Sequence, residues 1–148
     1  MTRSIAWCFS LLLMLWLSLP AMAQQRVVLV IGNDAYQSEA RLANLVNDAT
    51  RMAAMLTEMG FRVERVLDAT RNQMEQAMAR FAAAADGAEM ALFFFAGHGM
   101  EVTQRNLLLP VDARLTHERE AQFQTIRLSL VMEAMEGARI RLVLYQSA

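Results

Sequence analysis

From Arg26 to Gly32 the chain reads RVVLVIG, an unbroken apolar and β-branched run closing on glycine. A run of that kind, without polar alternation, is a strand buried on both faces, as in a parallel sheet. The polar segment NDAYQSEARLANLVND follows. From about Asp48 to Met59, apolar residues return at helical spacing (Ala49, Met52, Ala53, Leu56 and Met59), which predicts an amphipathic helix. Asn47 or Asp48 is placed to cap it, and Gly60 to end it. FRVERVL, Phe61 to Leu67, alternates apolar and polar residues and predicts a strand with one wetter face. In DATRNQMEQAMARFAAAADG, Thr70 stands three residues before Gln73, the spacing of a capping box. Met74, Ala77, Met78 and Phe81 make the apolar stripe of this second helix, and Gly87 stops it. EMALFFFAG, beginning at Glu89, is a second doubly buried strand.

Beyond His98 the pattern loosens. MEVTQRNLLLPVDA predicts a short hairpin or extended excursion with Gln104 to Asn106 near its tip. A polar stretch containing Glu118, Arg119 and Glu120 leads to a helix around Leu128 to Glu136, which Gly137 breaks, and ARIRLVLY is a last strand. Strand-helix-strand-helix-strand with apolar first and third strands points to an α/β fold built on an open, mostly parallel sheet.

The first 23 residues change the picture of where this domain works. Arg3, the apolar run Leu11 to Leu19 and Ala21-Met22-Ala23 have the layout of a secretory signal peptide. The expectation is export, secreted or periplasmic, of a single domain spanning residues 24–148, free of the membrane after cleavage; an uncleaved N-terminal membrane anchor is the alternative. A net charge of −1 argues against a nucleic-acid partner held by counterion release. The chain has no lysine, which excludes Schiff-base chemistry, and its single cysteine is Cys8, inside the leader. The segment after the leader therefore has neither a disulfide nor a thiol nucleophile of its own.

Open parallel sheets gather reactive groups at the carboxyl ends of their strands. GNDAY, AGHG and QSA fall there. Gly32 lacks the companion glycines of a dinucleotide fingerprint. His98, held between Gly97 and Gly99, has the side chain best suited to acid-base work near neutral pH, and the Gly99 amide is placed to face a developing oxyanion. A histidine that merely closes the strand end through hydrogen bonds is the equal alternative. No metal site is expected, because the other histidine, His117, has no ligand spacing to His98. Ser147 lacks the glycine-flanked elbow of serine hydrolases. Most of the twelve methionines fall at helical core spacing and fit packing.

Taken together, RVVLVIGNDAY, LANLVNDATRMAAMLTEMGFRVERVLD, ALFFFAGHG and NLLLPVDA resemble, in order, the caspase-like cysteine peptidases of the C14 clan, on the bacterial metacaspase and p20-type side. The resemblance implies a three-layer caspase-like fold of about six strands with helices on both faces. It implies that His98 is the catalytic histidine and Gly99 an oxyanion-hole donor, and that Asp48 belongs to a substrate pocket for Arg or Lys. The family's cysteine follows about 50 residues after the histidine, and Ala148 stands there. Gln146 occupies a second acidic pocket position and Ala96 a third, usually serine. The resemblance thus implies a domain that stops at its nucleophile and lacks the last strands. Asp48 also suits a helix start on capping and dipole grounds alone.

The function expected is that of a caspase-family endopeptidase domain without its nucleophile, inactive as it stands. The alternative is an exported, non-catalytic caspase-fold module that binds a peptide or protein. The partner is in either case a peptide or protein rather than a nucleic acid. No cofactor is expected; family analogy leaves calcium dependence open, as it does the oligomeric state.

Overall fold

The computed structural model describes residues 25–39 and 44–147, so the predicted leader and Ala148 lie outside the described residues. Along them run β1 (Arg26–Gly32), α1 (Leu45–Glu58), β2 (Arg62–Leu67), α2 (Arg71–Ala85), β3 (Met90–Gly97), β4 (Gly99–Val102), β5 (Arg105–Leu108), α3 (Glu118–Gln124), β6 (Ile126–Arg127), α4 (Leu128–Ala134) and β7 (Ile140–Ser147). Four strands form a sheet in the order β2-β1-β3-β7, every neighbour parallel. The three short strands form a separate antiparallel sheet, β4-β5-β6.

Strand order explains the layers. The chain leaves β1 for β2 on one side and then returns to β3 on the other, so right-handed crossovers place α1 and α2 on opposite faces. The two cores follow the two-residue alternation of the strands. Val28, Val30, Leu92 and Phe94 pack with Leu45, Ala49, Ala53 and Leu56 of α1. Leu29, Ile31, Phe93 and Phe95 pack on the other face with Met74, Met78 and Phe81 of α2, and with Val131 of α4. Phe93 and Phe95 expose no surface; burying each such side chain stabilises the fold by about 2 kcal/mol.

The α/β architecture is as the sequence predicts, and so is the start of α2. Thr70 accepts from the Gln73 amide while the Gln73 side chain accepts from the Thr70 amide, a complete capping box. Elsewhere the elements shift. Helix α1 begins at Leu45, with Asn44 as N-cap at φ 78 and no side-chain cap, so neither Asn47 nor Asp48 caps it. The reason is burial: Leu45 joins the apolar stripe and draws the helix back by most of a turn. Met59 is 53% exposed and leaves that stripe at the other end. The hairpin tip is Thr103–Gln104, since Arg105 already pairs with Val102. Helix α3 and strand β6 are too short and too polar to show a period, and neither is anticipated.

Strand β7 closes one side of the sheet. Ile140, Leu142 and Leu144 stand in register with Met90, Leu92 and Phe94, hence on the α1 face, yet remain 37%, 43% and 47% exposed. Helix α1 packs over β1, β2 and β3 and does not extend to them.

Candidate functional site

The loops after β1 and β3 leave toward opposite faces, which makes the gap between these adjacent strands a switch point of the kind where α/β sheets bind and react. Asn33 lies at its floor. The side chain is fully buried, which a primary amide tolerates only when its hydrogen bonds are made. Its main-chain N–H donates to the Ala96 carbonyl (2.8 Å), its Nδ2 donates to the Leu109 carbonyl (3.1 Å), and its Oδ1 accepts from the Ala69 N–H (2.8 Å). One residue thus ties the ends of β1 and β3 to the β2–α2 connection and to the segment after β5.

Tyr36 completes the frame. Its hydroxyl accepts from the His98 N–H at 2.7 Å and donates to the Leu109 carbonyl at 3.3 Å, while the Leu109 N–H donates to the His98 carbonyl at 3.0 Å. His98 and Leu109 face each other one step beyond the Gly99–Leu108 pair that opens the β4–β5 ladder, so the hydroxyl replaces one of the two rungs that such a pair would make. Burial pushes the Tyr36 hydroxyl up to about 12, partly offset by the hydrogen bond from the His98 backbone. It is therefore protonated at neutral pH and acts as a wedge, not as a base. Space for it exists because residue 97 is glycine: a Cβ there would come within 2.6 Å of both the Tyr36 Oη and the Phe95 ring.

The wedge fixes His98 and its neighbour. The half-buried imidazole lies against the Tyr36 ring, with centroids 4.5 Å apart and a 60° tilt. In an antiparallel ladder, hydrogen-bonded and non-hydrogen-bonded pairs alternate. The His98–Leu109 pair is the bonded one, so the next pair, Gly99–Leu108, is not, and the Gly99 N–H is directed away from β5. Strand β4 is at the edge of its sheet on that side.

Carboxylates hold the surrounding loops. Asp68, in left-handed backbone at φ 48, accepts from the amides of Asp34 and Ala35 through Oδ1, both at 2.9 Å. Asp112 accepts from the Arg71 N–H at 2.9 Å and so serves the first turn of α2. Asp48 lies in the first turn of α1, half-buried, at the same end of the sheet as His98. Its side chain makes no hydrogen bond or ion pair among the described residues.

Of the sequence-selected positions, His98 and Gly99 are adjacent at the switch point, and Asp48 shares that end of the sheet without touching them through any hydrogen bond. His117 is the exposed N-cap of α3, on the other sheet's side, and joins no cluster with His98 among the described residues. The register of β3 with β7, from Met90–Ile140 to Gly97–Ser147, brings the end of β7 level with the residue before His98. Ala148 itself is outside the described residues. Asn33, Tyr36, Asp68 and Leu109 are functional supports that spacing arguments miss. Their one signal is a polar residue placed directly after a doubly buried strand, IGN, with an aromatic three residues later.

Known proteins resemble this chain in sequence and in fold. Mucosa-associated lymphoid tissue lymphoma translocation protein 1 of Homo sapiens is 32% identical over 92 residues, which is 62% of this chain; the Mus musculus homologue gives the same figures. The aligned region is 11% of each of those proteins. Among solved structures, protein GSU0716 from Geobacter sulfurreducens superposes with a TM-score of 0.61 at 19% identity, over 84% of this chain and 50% of that one, a likeness of fold. The family model described as the caspase domain matches residues 25–148, the whole of the described fold, and the chain belongs to that family.

Proposed function

We infer that this is a caspase-type cysteine endopeptidase domain in which the histidine half of the site is built and the thiol is absent from residues 24–148. The observation that supports it is the Tyr36 wedge, which presents His98 at the switch point and turns the Gly99 N–H away from the ladder. In a complete site, the imidazole takes the proton of an adjacent thiol, the thiolate attacks the peptide carbonyl, the amide donor stabilises the oxyanion, and the imidazolium protonates the leaving amine. Asp48, whose carboxylate has no partner among the described residues, is the group offered to an Arg or Lys side chain of the substrate. The leader carries the domain out of the cytoplasm. With Cys8 in the leader as its only cysteine, the chain cleaves no peptide at a measurable rate.

The test places a thiol at Ala148, where the family resemblance expects the nucleophile. In a Cys8→Ser background, Ala148→Cys should be alkylated by iodoacetamide faster near neutral pH than the same protein carrying His98→Ala, because a neighbouring imidazole favours the thiolate. Identical pH profiles for the two proteins would sink the assignment. Turnover of Arg- or Lys-peptides by the unaltered chain, lost on His98→Ala, would refute its inactivity.

A second reading is favoured by the Asp48 carboxylate, which has no partner among the described residues: an exported module that binds basic peptides without cutting them. Saturable binding of an Arg-peptide, weakened by Asp48→Ala, supports it, and no binding removes it.

A further inference from the structure

The antiparallel sheet carries a feature that peptidase chemistry does not use. Its register divides the hairpin into two faces. Glu101 pairs with Asn106 on one; Val102 with Arg105, and Met100 with Leu107, stand on the other. Arg127 pairs with Leu107 and so joins the second face. Helix α3 adds Arg119 beside it, and the three arginines line one cavity of about 320 Å³ together with Thr103 and Gln122. Arg105 and Arg127 also border the two adjoining cavities, of about 270 and 450 Å³.

None of these three guanidinium groups takes part in a hydrogen bond or ion pair among the described residues. Among the described side chains, the neighbouring carboxylates are engaged elsewhere or face away. Glu75, on an adjoining cavity, holds Arg71 at 2.8 Å, and Glu120, one residue from Arg119, accepts from the Thr116 hydroxyl. Glu101 lies on the opposite face of the hairpin. Unpaired like charges around one cavity repel each other, and in a chain of net charge −1 they are not the by-product of a basic surface. The tip beside them is strained as well. Thr103 and Gln104 hold φ 50 and 61, a two-residue turn that favours Asn-Gly and is costly for a β-branched residue. That turn sets where Arg105 emerges.

We propose that this cavity is an anion site for a phosphoryl group carrying at least two negative charges, either free diphosphate or a small phosphorylated molecule. Guanidinium groups bind phosphoryl oxygens through paired, charge-assisted hydrogen bonds, and the Gln122 amide and Thr103 hydroxyl add neutral contacts. The volume suits a small ligand rather than a macromolecule. The site begins at Val102, four residues beyond His98 and so roughly 13 Å along the strand at about 3.3 Å per residue. It does not depend on the peptidase reading.

Isothermal titration of the full chain with inorganic pyrophosphate at low ionic strength should give one site that weakens as salt is added. Arg105→Gln, Arg119→Gln and Arg127→Gln should each raise Kd by about tenfold or more. Arg62→Gln, an exposed arginine on β2, should leave it unchanged, with far-UV circular dichroism showing that all four variants fold. A parallel titration with ADP separates the sources: tighter binding than pyrophosphate assigns a phosphorylated small molecule, equal or weaker binding assigns free diphosphate. No heat at millimolar pyrophosphate, or an equal loss with Arg62→Gln, overturns the site.

Discussion

Tyr36→Phe removes one oxygen atom and tests how His98 is held. The ring stays, with its packing against the imidazole at 4.5 Å, but the His98 N–H loses its acceptor at 2.7 Å. The Leu109 carbonyl loses only a 3.3 Å donor and keeps Asn33 Nδ2 at 3.1 Å. One orphaned donor costs about 1–3 kcal/mol, and partial closure of the β4–β5 pair onto the vacated space trims this to about 1–2 kcal/mol. The alkaline limb gives a second, independent reading. In the unfolded chain the tyrosine ionises near its ordinary value of 10, whereas the native hydroxyl keeps its proton to about 12. Below that window the contribution is intact. Within it only the unfolded state sheds the proton, so wild-type stability falls as pH rises. A full shift would be worth about 1.4 kcal/mol per unit, and because Tyr36 is only half-buried, solvent screening reduces the total to about 1 kcal/mol. The variant, with no hydroxyl at this position, has no such linkage.

Urea unfolding followed by far-UV circular dichroism should therefore show Tyr36→Phe about 1–2 kcal/mol less stable near pH 8, with the gap narrowing by about 1 kcal/mol toward pH 12. The chain has no lysine to crowd this window, and Tyr145→Phe, at an exposed tyrosine, serves as the control. A gap that stays constant with pH, or no gap near pH 8, would show that the hydroxyl is not the wedge described.

Asn33→Ala strands the Ala69 N–H and removes a donor from the Leu109 carbonyl, so urea unfolding should show a loss of about 2–4 kcal/mol, larger than for Tyr36→Phe. Gly97→Ala drives a Cβ into the Tyr36 hydroxyl and the Phe95 ring; it should cost about 1–3 kcal/mol and also erase the alkaline limb, which a purely local strain would leave in place. Leu142→Lys alters a residue already 43% exposed and should shift stability by less than about 0.5 kcal/mol in the same assay. A large loss there would mean that the open face of β7 is covered in solution.

The elements legible in the sequence are those whose side chains repeat the physics of their surroundings. RVVLVIG and MALFFFAG are buried on both faces and read as such, and the Thr70–Gln73 box is a local exchange of hydrogen bonds that spacing alone reveals. The start of α1 is not legible because Asn44 enters it in left-handed backbone without a side-chain cap, and burial of Leu45 decides the boundary. Helix α3 and strand β6 take their form from packing beside the hairpin, which no short polar window records. The site shows the same division. His98 between two glycines stands out in the sequence, whereas the role of Tyr36 depends on an oxygen reaching across 62 residues to a backbone amide.

That division also shows which elements hold the histidine loop. The hydrogen bonds described for the His98 backbone come from Tyr36 and Leu109, and Asn33 anchors Leu109 while also holding Ala69 and Ala96. These residues belong to the end of β1, the β2–α2 connection and the segment after β5, all of which also carry the two cores. The hydrogen bonds described for the His98 backbone thus come from elements other than β7. Binding at this end of the sheet and cleavage are therefore separate measurements, the first resting on Asp48 and the second on His98.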